Sequence, residues 1–183
     1  MKINVFKSVL AASLVAATLA SCQSEPEVGS TLYPTAEENY SAKAYLYTGT
    51  SDGNKLLLAG EKSASAVTLA GDSAKFYVRL SSPAEKDVTV TLAATSDGVE
   101  ANSSEEVMST DAISLSKTSV TIAKGQLTSE PITVKLVNGD ALKSLAMLMN
   151  GVTSIVIKSV DGAETAKTST KVAVATNFSF NNI

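Results

Sequence analysis

From about residue 40 onward the chain is written in short runs that alternate apolar and polar side chains. Ala74, Phe76, Val78 and Leu80 share one face of such a run, with Lys75, Tyr77 and Arg79 on the other. Val88, Val90 and Leu92 alternate with Thr89, Thr91 and Ala93; Val120 and Ile122 with Thr121 and Ala123; Ile132, Val134 and Leu136 with Thr133, Lys135 and Val137. Apolar runs around Ile155 and Ile157, and from Lys171 to Ala175, add two more segments. A period of two predicts half-buried antiparallel strands. Five Asx-Gly pairs, at Asp52-Gly53, Asp97-Gly98, Asn138-Gly139, Asn150-Gly151 and Asp161-Gly162, tolerate the positive φ of tight turns. Short strands with frequent turn signals predict an all-β, antiparallel β-sandwich. No internal repeat of fixed period is present.

Two segments break the alternation. Residues 103–109 (SSEEVMS) read as a short helical turn. Residues 140–149 (DALKSLAMLM) place Leu142, Leu145 and Leu148 at a spacing of three, beside Met149. That stripe suits either an amphipathic docking helix or a crossover that caps one end of the core. The second is favoured, because most apolar stripes serve their own domain.

The N-terminus follows a different pattern. Lys2 and Lys7 precede an apolar run over residues 9–19, and Leu19-Ala20-Ser21-Cys22 follows. This is the layout of a cleaved signal peptide, too short to span a bilayer permanently. Cys22 is the only cysteine in the chain, and it sits at the expected cut. The expectation is a lipoprotein signal over residues 1–21 with Cys22 as the acylated residue. Stable anchoring then needs more than one acyl chain, at about 0.8 kcal/mol per buried methylene. Residues 22–39 are polar and acidic, with Pro26, Gly29 and Pro34, and read as a flexible tether spanning roughly 20–25 Å. Residues 40–183 form the expected sandwich domain.

Composition narrows the chemistry. The net charge is −3, and the two lysines of the leader take it to −5 for the remainder, which argues against a nucleic-acid partner. The chain has no histidine, so histidine-based nucleophilic catalysis and histidine-ligated zinc are excluded. It has no tryptophan, the largest stacking platform. With one cysteine, no intramolecular disulfide can form. No cofactor is implied.

Three stretches carry a family resemblance. They are Val78-Arg79-Leu80-Ser81-Ser82-Pro83-Ala84-Glu85-Lys86-Asp87-Val88-Thr89-Val90-Thr91-Leu92, the run SLSKTSVTIAKGQ over residues 114–126, and SIVIKSVDG over residues 154–162. Over roughly residues 40–176 the chain resembles a domain of unknown function found near the N-terminus of Bacteroidetes surface lipoproteins. The resemblance implies an immunoglobulin-like β-sandwich. It also implies company: members often sit beside glycan-uptake proteins, or precede a glycan-binding or glycosidase domain. The chain departs from members in its short, aromatic-free segment over residues 94–112, where they usually carry a longer helical insert. Members are often followed by a second domain, whereas this chain stops at Ile183, so any activity of such a partner is expected to be absent. The family's motifs are structural and transfer no site residues. Gln23-Ser24-Glu25-Pro26-Glu27 resembles a weak form of the acidic surface-export signal of such lipoproteins.

Few residues suggest chemistry. Adjacent Glu105 and Glu106 diverge on either a strand or a helix, so they cannot flank one scissile bond as a glycosidase pair must, and are read as solvated surface acids. Glu37 and Glu38, in the tether, are read the same way. Asp52-Gly53-Asn54 lacks the alternating oxygen ligands of a calcium loop and reads as a plain turn. Tyr45, Tyr47 and Tyr77 are the candidate ligand-binding residues. Exposed together, they would offer apolar faces and hydroxyls to a sugar ring; packed as cross-strand pairs, they would only cover the sheet. Packing is the favoured alternative in the absence of tryptophan. The expected protein is a non-enzymatic module anchored by lipid to the outer membrane, on the cell surface, binding or assembling there as an accessory to glycan capture. The alternative is a subunit of an envelope protein complex that docks through residues 142–149.

Overall fold

The computed structural model describes residues 41–50 and 53–181. The expected signal peptide over residues 1–21, Cys22, the expected tether over residues 22–39 and Asp52 lie outside the described residues. Residues from Ser41 onward form one compact unit.

Among the described residues twelve strands build it: β1 (Lys43–Tyr47), β2 (Lys55–Lys62), β3 (Val67–Leu69), β4 (Ala74–Leu80), β5 (Val88–Thr95), β6 (Glu105–Val107), β7 (Ile113–Leu115), β8 (Ser119–Ile122), β9 (Ile132–Leu136), β10 (Asn150–Asp161), β11 (Glu164–Thr165) and β12 (Lys171–Phe180). They form two sheets. One runs β11-β1-β4-β9-β7; the other runs β3-β2-β12-β10-β5-β8, with β6 beside the start of β10. Most pairs are antiparallel, as the alternation predicts. Three are parallel: β1 with β11, β6 with β10, and β2 with β12 along its full length.

The two inner faces meet in one core. Phe76 and Val78 of β4, Leu46 of β1, Ile132 and Val134 of β9 face Leu58 of β2, Val88 and Val90 of β5, Ile122 of β8 and Ile155 of β10, all essentially without solvent contact. The alternation therefore does what a half-buried strand requires. The apolar residues of each run enter the core while threonine and lysine face water.

Among the described residues there is no α-helix. Residues 140–149 carry only a one-turn 3-10 helix, Asp140–Leu142, begun by the Asn138 side chain, whose Oδ1 accepts from the amides of Asp140 and Ala141. Leu142 and Leu145 turn into the core and close one end of the sandwich, as the favoured reading has it. Leu148 does not join them. It sits at φ 71°, outside helical geometry, and stands exposed beside Met147.

Three local readings are corrected. Residues 103–109 form no helical turn; Glu105–Val107 pairs in parallel with β10. Asn150-Gly151 is no hairpin turn but the start of β10. Its glycine is needed for space: a Cβ there would lie 2.8 Å from Met108 Sδ and 3.0 Å from Leu145 Cδ1. Asn138-Gly139 needs no positive φ either, since Gly139 sits at φ −64° in right-handed geometry.

Candidate functional site

The three tyrosines named from the sequence come together. Antiparallel pairing of β1 and β4 sets Tyr47 across from Tyr77 and Tyr45 across from Arg79. The intervening Ala44, Leu46, Phe76 and Val78 fill the core, so Tyr45, Tyr47, Tyr77 and Arg79 all stand on the outer face of the five-stranded sheet. Residues directly opposite on one face have Cβ atoms about 4.5–5.5 Å apart, and successive same-face residues about 7 Å, so the three tyrosines spring from neighbouring positions of that face. Tyr47 is 40% exposed; Tyr45 and Tyr77 are half-buried.

Arg79 binds this surface into a unit. Its guanidinium carbon lies 4.7 Å from the centre of the Tyr47 ring, within cation–π range. Its Nε is buried and meets no acceptor within the described residues. Sequence reasoning put Arg79 on the tyrosine-bearing side of its strand but did not count it as part of the site, because the pairing that brings it to Tyr47 joins residues 32 apart and is a tertiary outcome.

The face continues onto β9, where Thr133 stands across from Lys75, and onto β7, where Ser114 stands across from Lys135. Near the end of β4, Arg79 bridges to Thr128; two residues on, Glu130 holds the Lys117 ammonium. That hydrogen bond and charge keep the exposed Glu130 carboxyl below the ordinary carboxylate range.

The two glutamates once read as surface acids are otherwise placed. They do diverge, but Glu105 is buried and pairs with Lys55 at 2.5 Å, while half-buried Glu106 accepts from the Ala146 amide at 2.8 Å. Lys62, also buried, donates to the carbonyls of Leu145 and Ala146 at 2.8 and 2.9 Å. Burial holds its pKa below the ordinary lysine value, partly offset by the Glu106 charge. Glu106 and Lys62 thus clamp the end-capping segment from two sides, a role the sequence gave no pattern for. Lys62, Lys143, Leu145 and Met147 border an open cavity of about 320 Å³ at this end. Asn54, from the other candidate loop, donates its side-chain amide to the Lys171 carbonyl, as a turn residue does. Among the described residues no group of three or more acids, cysteines or histidines is gathered to hold a metal.

A family model described as an N-terminal domain matches residues 38–164. No curated protein matches the sequence. Among solved structures, the chain is similar to a two-domain protein of unknown function from Bacteroides fragilis, at 16% identity and a TM-score of 0.58, covering 87% of this chain and 52% of that one. It is also similar to a candidate carbohydrate binding protein from Bacteroides ovatus, at 16% identity and a TM-score of 0.53, covering 74% of this chain and 36% of that one. The chain thus spans about half the length of the first and about a third of the second, and at these identities the likeness is one of fold.

Proposed function

Because the chain belongs to this family of N-terminal domains, we propose that it is a lipid-anchored, surface-displayed module that binds glycans without transforming them. The observation that carries the reading is the placement of Tyr45, Tyr47 and Tyr77 on one outward sheet face with Arg79 among them. Tyrosine rings give a sugar an apolar surface and a hydroxyl, and a rigid sheet holds them with little ordering cost on binding. The carbohydrate description of the Bacteroides ovatus neighbour points the same way. So does the lack of histidine, since a serine nucleophile would need another base. The anchor rests on the lipobox at Cys22 and the outer-membrane address on the resemblance.

Native gels cast with individual polysaccharides test the reading. The purified protein should be retarded by at least one glycan, and Tyr47→Ala or Tyr77→Ala should restore mobility at unchanged thermal stability. Unaltered mobility across the panel removes it. Palmitate labelling tests the anchor separately: the wild type should be labelled and Cys22→Ser should not, and an unlabelled wild type refutes the anchor.

Docking to an envelope complex through residues 142–149 is the second reading. Exposed Met147 and Leu148 favour it, but Leu142 and Leu145 are committed to the core, which leaves a small apolar surface.

A further inference from the structure

We infer that the glycan taken by the tyrosine face is anionic, bearing carboxylate or sulfate groups. The inference rests on the glycan-binding reading and goes further, by naming the class of saccharide. Its ground is the charge on that face. In a chain whose net charge is −3, the outer surface of the five-stranded sheet carries Lys43, Lys75, Arg79 and Lys135. Glu164 stands across from Lys43 at the β11 edge, and Glu130 is engaged by Lys117. Lys75, Arg79 and Lys135 have no ion-pair partner among the described residues.

The arrangement follows the strands. On β4, Arg79 and Lys75 lie two residues to either side of Tyr77 on the same face, so cationic side chains spring from backbone positions about 7 Å from that of the tyrosine in each direction. Lys135 extends the charge from β9. Arg79 is pinned against the Tyr47 ring, which fixes its planar fork before any ligand arrives. A guanidinium held this way pairs bidentately with a carboxylate or sulfate oxygen edge, while lysines act as point charges along the polymer. A neutral sugar would stack on the rings but leave the cations unmatched. An acidic polysaccharide matches both and is drawn in by the field of the face.

Affinity electrophoresis of the purified protein tests this with four polymers: polygalacturonate, a sulfated galactan, neutral mannan and poly-glutamate. The expected result is strong retardation by one or both acidic glycans, at least about tenfold weaker binding to mannan, and none to poly-glutamate. Arg79→Gln should weaken acidic-glycan binding about tenfold. Lys75→Gln with Lys135→Gln, both exposed and outside the core, should weaken it about threefold to tenfold and flatten its dependence on salt. Preference for polygalacturonate or for the galactan identifies carboxylate or sulfate as the recognised group. Equal or tighter binding to mannan overturns the inference and leaves the glycan reading standing. Poly-glutamate retarding as strongly as the acidic glycans overturns it as mere ion exchange. Silence on all four polymers, with retardation by some other neutral glycan, overturns only the charge argument; silence on every glycan takes the parent reading with it.

Discussion

Replacing Gly162 with alanine would set a Cβ 2.5 Å from the Asp87 carbonyl oxygen and 3.3 Å from the Val88 Cα, both backbone atoms. Asp87 has little room to retreat, because its Oδ1 accepts from the Lys124 amide at 2.8 Å and the next residue opens β5. Gly162 also sits at φ +92°, a conformation L side chains rarely adopt. Two costs therefore add. Positive φ costs about 1–2 kcal/mol for a residue with a Cβ, and overpacking against atoms that cannot yield costs about 1–3 kcal/mol. Gly125 separates them. It too has positive φ, at +78°, but a Cβ there meets nothing within 4 Å. Gly125→Ala should lose only the conformational part. Loss of unfolded-chain freedom favours both alanines about equally and cancels in the comparison. Gly162→Ala should therefore be the less stable by about 1–3 kcal/mol. Urea unfolding followed by tyrosine emission measures the gap, provided the two slopes agree. A gap below about 0.5 kcal/mol would falsify the close approach of the β10–β11 turn to the start of β5.

Three further outcomes follow from other contacts. Gly151→Ala should cost about 1–3 kcal/mol through its clash with Met108 and Leu145, and in a double-mutant cycle Met108→Ala should relieve part of that cost; strict additivity would refute the contact. Glu105→Gln leaves Lys55 facing a neutral partner in a site where only the lysine is partly wet, so a loss of about 1–2 kcal/mol is expected in urea unfolding, and no change would show the pair to be idle. Lys62 has a lowered pKa when folded, so the native state sheds its proton first. Between that lowered value and the ordinary lysine value, stability should rise with pH in the wild type relative to Lys62→Met, and a flat difference between neutral pH and the lysine range would contradict the burial of its charge.

How much of this was open to sequence reading depends on what imposes the pattern. Phe76, Val78 and Leu80 alternate with Tyr77 and Arg79 because one face of β4 is core and the other is water, and that constraint is local. It therefore named the outward residues correctly. From its second residue strand β10 has five buried residues in succession, Gly151 to Ile155, because it is covered on both faces there, and its alternation vanishes. Parallel partners are equally invisible: nothing in Lys55–Lys62 announces β12, more than 100 residues away. Leu148 does not follow the stripe because spacing alone imitates a helix, whereas here a single 3-10 turn ends at Leu142, Leu145 is buried beyond it, and the chain has left helical geometry by Leu148.

The same division separates the site's members from its assembly. That Tyr45 and Tyr47 share a face follows from their spacing of two, but that Tyr77 and Arg79 join them follows from register, and register is set by the core. A slip of one residue between β1 and β4 would leave Tyr47 across from a residue of opposite facing and send the hydrophobic set of one strand to solvent. Leu46 paired with Val78, both fully buried, is what forbids that slip. The outward constellation of three rings and a guanidinium is thus a consequence of inward packing. Core substitutions at Leu46 or Val78 that keep volume should preserve it, while those that leave a cavity loosen the Tyr47–Arg79 contact without touching either residue.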